Sequence, residues 1–252
     1  MTRLGSLDAL RGVLALAVLS CHLTGAPWPS WVAGRAVDGF FILSGYVLCR
    51  GYDGRYAAFL ARRAVRLWPV YAACITATAL LAGTWPTLPQ LLWWPDAMHT
   101  CLDAPAWSLF VEAAVTPALP LIFRLVRYPL PCIVCLVPAL ALPGRWPVWV
   151  LEFVAGAALA QVPIRWPPRV PRPLALLGRV SYPLYLCHWP CIAVGVAAFG
   201  LTWGPFASLP LIAVVTWGLY RWVEIPSITA SRAVGRLRRT DLPASSLLGG
   251  LL

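Results

Sequence analysis

The chain has 252 residues, 60% of them hydrophobic and only 12% charged, about half the charged share of an ordinary soluble domain. Several apolar runs approach the roughly 20 residues needed to cross a bilayer, and short loops separate them. This excludes a soluble globular fold and predicts an all-α, polytopic transmembrane helical bundle. The net charge of +11 is carried by arginine alone, with no lysine in the chain. Basic residues flanking membrane spans account for it without nucleic acid as a partner.

About eight spans are predicted, over residues 7–24, 36–50, 64–83, 107–123, 129–143, 147–162, 179–198 and 204–222. The first contains RGVLALAVLSCHLTG, whose only chargeable side chains are Arg11 and His22. Eleven residues on an α-helix turn through about 1100°, so the two return to nearly one face, roughly 16 Å apart along the axis. An ionisable pair inside an apolar helix marks a functional site by default. Asp8 and Arg11 interrupt the charged-then-apolar order of a cleaved signal peptide.

Asp38 opens the second span. The third begins with the basic amphipathic stretch YAAFLARRAVR, in which Arg63 and Arg66 share a face. Such a pair either grips a phosphate with bidentate hydrogen bonds or serves as a positive flank against lipid phosphate. Residues 84–106 are too polar to span, and Trp93 and Trp94 there suit an interfacial or re-entrant segment. Ser108 and Glu112 open the fourth span. The fifth, PLPCIVCLVPALALP, carries four prolines. Its Cys132 and Cys135 have no histidine nearby to complete a zinc site, and the eight cysteines show no disulfide framework. No metal site is expected. In the seventh span, SYPLYLCHWP places Tyr185 and His188 near mid-bilayer, where His188 either lines a cavity or is a hydrogen-bonded structural histidine.

Alternating these spans from an inside N-terminus puts every arginine on the inner side except Arg35 and Arg145. That positive-inside bias predicts an N-in, C-in orientation. It also places His22, Asp38 and Glu112 at similar outer depth. An imidazole near a carboxylate is a good general base for a hydroxyl, because the carboxylate orients it and stabilises its charged form. Residues 1–228 are read as one membrane domain, and 229–252 as a basic, disordered cytoplasmic tail.

Seven segments taken together resemble the acyltransferase-3 family of integral membrane acyltransferases. They are LDALRGVLALAVLSCH, VDGFFILSGYVL, FLARRAVRLWPVY, WSLFVE, FVAGAALA, LGRVSYPLYLCHWP and YRWVEIP, in the family's order from Leu7 to Pro226. The resemblance implies transfer of an acyl group, often acetyl, from an acyl-CoA donor to a hydroxyl of a carbohydrate or glycolipid acceptor. The acyl-CoA is a substrate, and no bound cofactor is expected. By this analogy His22 is the catalytic base, while Arg11, Arg63 and Arg66 hold the donor; the shared outer depth adds Glu112 as a catalytic partner of His22. Asp38, Ser108, Tyr185 and His188 are supporting residues. The expected setting is the bacterial inner membrane, among its lipids. Members usually have about ten spans. Here the stretches before WSLFVE and between Gln161 and Leu177 are shortened, each by about one helix. The competing readings are a non-catalytic carrier or flippase, and an inactive relative.

Overall fold

The first helix, α1 (Gly5–Thr24), carries Asp8 in its first turn and His22 in its last. The Asp8 carboxylate suits the helix dipole, whose N-terminus favours an acid. The computed structural model describes residues 5–24, 31–94, 99–128, 144–167 and 170–240. Among them every regular element is helical. Five helical segments are long and apolar enough to cross a membrane, namely Gly5–Leu23, Trp31–Gly51, Tyr56–Leu81, Ala104–Leu125 and Arg172–Ala207. The predicted span over 129–143 and the Cys132/Cys135 pair lie outside the described residues.

Helix α2 (Trp31–Gly51) and helix α3 (Tyr56–Leu81) start five and eight residues earlier than the apolar pattern predicts. In α3 the added residues are the basic stretch itself, so its arginines ride on a continuous helix. The turn between α2 and α3 is pinned by Asp53, which accepts hydrogen bonds from Arg62 and Arg55. The Arg62 bonds are the main cause of a carboxyl pKa held below the usual carboxylate range.

After α3 the chain folds back on it. The short helix α4 (Leu88–Leu91) is started by a capping box between Thr87 and Gln90, which satisfies two otherwise orphaned N–H groups. Trp68 Nε1 donates to the Leu91 carbonyl at 2.9 Å and Tyr71 Oη to the Gln90 carbonyl at 2.5 Å. Gln90 Nε2 donates to Thr100 O at 2.7 Å. Trp68 and Tyr71 lie roughly 15–20 Å below the end of α3 at Leu81, at 1.5 Å per residue. The stretch thus folds back along α3 instead of leading away from its end.

The chain therefore leaves for its next crossing from the protein interior. A 3₁₀ turn (Ala104–Ala106) leads into α5 (Trp107–Val115), a second 3₁₀ turn (Thr116–Ala118) and α6 (Leu119–Leu125). Pro105, Pro117 and Pro120 explain the breaks, since each removes an N–H from the helical ladder. Helix α7 (Trp146–Leu159) crosses α2 at backbone contact. A Cβ at Gly45 would overlap the Phe153 carbonyl oxygen, and one at Gly156 the Ile42 carbonyl oxygen. Small residues at a crossing let two membrane helices approach this closely.

Helix α8 (Arg172–Ala207) holds Gly200 in a positive-φ conformation (φ 75°). There the chain doubles back, and a Cβ at Gly195 would overlap the Gly204 carbonyl oxygen. The turn divides the predicted seventh and eighth spans. Helix α9 (Leu209–Leu219) passes through a π-helical turn (Tyr220–Glu224) into α10 (Ile225–Thr240). The expected disordered tail is corrected over residues 229–240, which continue a helix that packs on α3 and buries Ser227 and Ser231, while 241–252 lie outside the described residues. The polar sequence obscured this, because the buried positions are serines that return hydrogen bonds to the helix backbone at Val223 and Ile228.

Candidate active site

Helices α1 and α8 run in the same direction with a fixed register. At one end Gly178 lies against the backbone of Asp8 and Gly12. Ten residues further along both helices, His22 Nδ1 and His188 Nε2 are 2.9 Å apart. Gly12–Gly178 and His22–His188 share one sequence offset of 166 residues. The close glycine contact therefore sets the alignment that brings the two imidazoles together. Their rings stack at 5.1 Å and 24°, and the Trp189 ring meets His22 edge-on at 5.5 Å. His188 has 0% exposure, and its Nδ1 is 3.1 Å from the Leu184 carbonyl oxygen. His22 is half-buried.

Towards the glycine end, a cavity of about 130 Å³ opens between α1, α2, α3, α5 and α8. Arg11, Arg63, Arg66 and Arg179 line it, with Glu112 and Glu224. Arg63 is ion-paired with Glu112. Four guanidiniums against two carboxylates leave a positive surplus in a low-dielectric wall, where an anion is held more strongly than in water. Ser108 and Tyr185 also line the cavity. Tyr185 Oη donates to Pro105 O at 2.9 Å and so accepts from Ser108 Oγ, also at 2.9 Å. The Tyr185 ring is 6.2 Å from that of His188, which links the cavity wall to the histidine pair.

The structure thus brings Arg11, Arg63, Arg66, Glu112, Ser108 and Tyr185 around one cavity, and His22 and His188 beside it. It does not assemble His22, Asp38 and Glu112. Asp38 is paired with Arg35 at 3.1 Å and Arg145 at 3.5 Å. Glu112 reaches Arg63 near the start of α3, because the segment that folds back along α3 begins α5 beside that helix. Sequence reasoning assigned no role to Arg179 or Glu224, although both lie in motifs singled out there. It also left aside Asp103, which has 0% exposure and no hydrogen bond to either carboxylate oxygen. Asp103 immediately precedes the Ala104–Leu125 crossing. Burial pushes its carboxyl pKa well above the usual value, and burial together with Asp103 pushes that of Cys101 up to about 12. Among the described residues, no three His, Cys, Asp or Glu side chains converge as metal ligands.

Residues 4–163 match the acyltransferase-domain family. Acyltransferase MdmB of Streptomyces mycarofaciens is 32% identical over 163 residues, covering 50% of this chain and 41% of the relative. The match therefore spans less than half the length of that curated relative. No solved structure matches. The family match covers more than half of the chain and takes in α1 to α7 with Arg11, His22, Arg63, Arg66 and Glu112; the chain belongs to the acyltransferase-3 family.

Proposed function

We propose that this protein is a membrane O-acyltransferase. It moves an acyl group, acetyl by preference, from acyl-CoA to a hydroxyl of a carbohydrate or glycosylated acceptor, with His22 as general base. One observation carries the reading. A single cavity holds four arginines at the Arg11 end and Ser108–Tyr185 in its wall, next to a pair of a half-buried and a buried histidine. Phosphates of the donor fit the arginines, which offer bidentate donors without competing acceptors. The roughly 16 Å from Arg11 to His22 suits an extended pantetheine arm that carries its thioester towards the imidazole.

In this scheme the acceptor hydroxyl lies against His22. Its oxygen bonds to the thioester carbonyl carbon as its proton passes to the imidazole. The tetrahedral adduct then collapses, the carbon–sulfur bond breaks, and the leaving sulfur takes the proton from His22. Glu112 acts at a distance by holding Arg63 in the donor site. An eight-span, N-in and C-in arrangement in the bacterial inner membrane puts the arginines on the side where acyl-CoA is made. The acceptor then stands on the envelope side, where polysaccharide modification takes place.

The test incubates purified protein with radiolabelled acetyl-CoA and measures free CoA and labelled product, with and without carbohydrate acceptors. Acceptor-dependent CoA release supports the proposal. Saccharide or lipid movement across proteoliposomes with no thioester consumption overturns it in favour of a carrier.

A further inference from the structure

We propose that His188 is a positioning residue that fixes the tautomer of His22, through a hydrogen-bond chain running from the Leu184 carbonyl through both imidazoles. This rests on the reading of His22 as the base. It adds the residue that orients that base, a place where a carboxylate was expected.

The chain can be read from its fixed end. A backbone carbonyl accepts hydrogen bonds and never donates them. His188 Nδ1, 3.1 Å from Leu184 O, therefore carries a proton. The ring is fully buried, and its partners are a carbonyl and another imidazole. A full charge there would lack a compensating anion, which is costly in an apolar interior. His188 thus holds a single proton, and its Nε2 presents a lone pair. That lone pair faces His22 Nδ1 at 2.9 Å, so His22 Nδ1 is the donor. Neutral His22 keeps its other lone pair on Nε2, on the far side of the ring from His188. His188 is closed off, while His22 is half-buried, so the accessible basic nitrogen belongs to His22.

A neutral imidazole paired through the wrong nitrogen would point N–H at the acceptor and could not take its proton. A hydrogen bond at the remote nitrogen is the general way in which a histidine is held in its working tautomer. When His22 Nε2 takes the acceptor proton, the Nδ1–H bond to His188 becomes charge-assisted and roughly twice as strong. The pair therefore favours the protonated intermediate without a fixed negative charge in the membrane interior. The register set by Gly12 and Gly178 holds the two rings in reach.

The chain contains three histidines, so nitrogen-15 NMR of histidine-labelled protein in detergent or nanodiscs resolves each ring, with His99→Gln as an assignment aid. The wild type is expected to show His22 and His188 both protonated at Nδ1. In His188→Phe, His22 is expected to shift to Nε2–H, the form that neutral histidine prefers in water. In acetyl-CoA turnover, His188→Phe is expected to lower kcat about 10- to 100-fold, the scale on which a partner that orients a functional histidine acts. KM for acetyl-CoA is expected to stay within about twofold, since the arginine cavity is untouched. His188→Gln supplies an amide oxygen as acceptor and is expected to recover part of kcat. His22 protonated at Nε2 in the wild type, or kcat unchanged in His188→Phe, overturns the proposal. If the tautomers are as expected but the wild type does not consume acetyl-CoA, the tautomer lock is supported and the acyl-transfer reading fails.

Discussion

Glu112 is ion-paired with Arg63 across α5 and α3, although both the apolar pattern and the positive-inside count place them on opposite sides of the membrane. The pair exists because residues 84–94 fold back along α3 to the level of Trp68 and Tyr71, and Thr100 is held beside them by Gln90. Side-chain exposures of 15% and 12% put it in the interior, where removing one partner leaves an uncompensated charge. Arg63→Ala or Glu112→Ala alone is expected to cost about 3–5 kcal/mol. The double variant should lose clearly less than the sum. Thermal unfolding of all four proteins in one detergent measures the coupling, and additive losses would contradict a direct pair.

Gly178 is the contact that sets the register of α1 against α8. A Cβ there would overlap the Asp8 carbonyl. Gly178→Ala is expected to destabilise the bundle by about 1–3 kcal/mol and to weaken the His22–His188 hydrogen bond ten residues away. Gly34, on α2, would place a Cβ in open space. Gly34→Ala should stabilise by about 0.5–1 kcal/mol through helix propensity. Opposite shifts in unfolding temperature are the expected result.

Asp103 predicts a pH dependence. Burial raises its folded pKa above the unfolded value of about 3.9, so the folded state holds this proton more tightly than the unfolded chain. Stability then falls as pH rises from about 4 towards the folded pKa. Asp103→Asn is neutral throughout and escapes this loss. Its unfolding temperature should approach that of the wild type near pH 4 and exceed it increasingly as pH rises from there. A constant difference would contradict a protonated, buried Asp103.

Much of the helical architecture is legible in the sequence. The starts of α2 and α3 shift only because amphipathic turns extend the apolar cores. Gly200 marks a turn that the composition of the seventh and eighth spans already separates. The site is legible in part. Arg11 and His22 fall on one face by helical arithmetic, and Arg63 and Arg66 by their spacing, because both are local relations. The His22–His188 pairing is not local. It depends on a backbone contact between Gly12 and Gly178, and no single-helix pattern reports which glycines of two helices meet. Glu112 was given the wrong neighbours for a related reason. A span counted from its polar start is assumed to begin at the membrane surface, and a segment that first folds back along the preceding helix breaks that assumption. Arg179 and Glu224 join the cavity from helices whose facing depends on the same tertiary packing.

The central claim is that His22 takes the acceptor proton at the end of a donor path that begins at the arginines. The most direct measurement is acyl transfer by purified wild-type, His22→Ala and His99→Ala proteins with labelled acetyl-CoA and a responsive acceptor, with folding checked by thermal unfolding. The account predicts that His22→Ala, still folded, loses transfer by at least about 100-fold, the lower end of what a general base contributes. His99→Ala should match the wild type. Transfer at the wild-type rate by folded His22→Ala would contradict it.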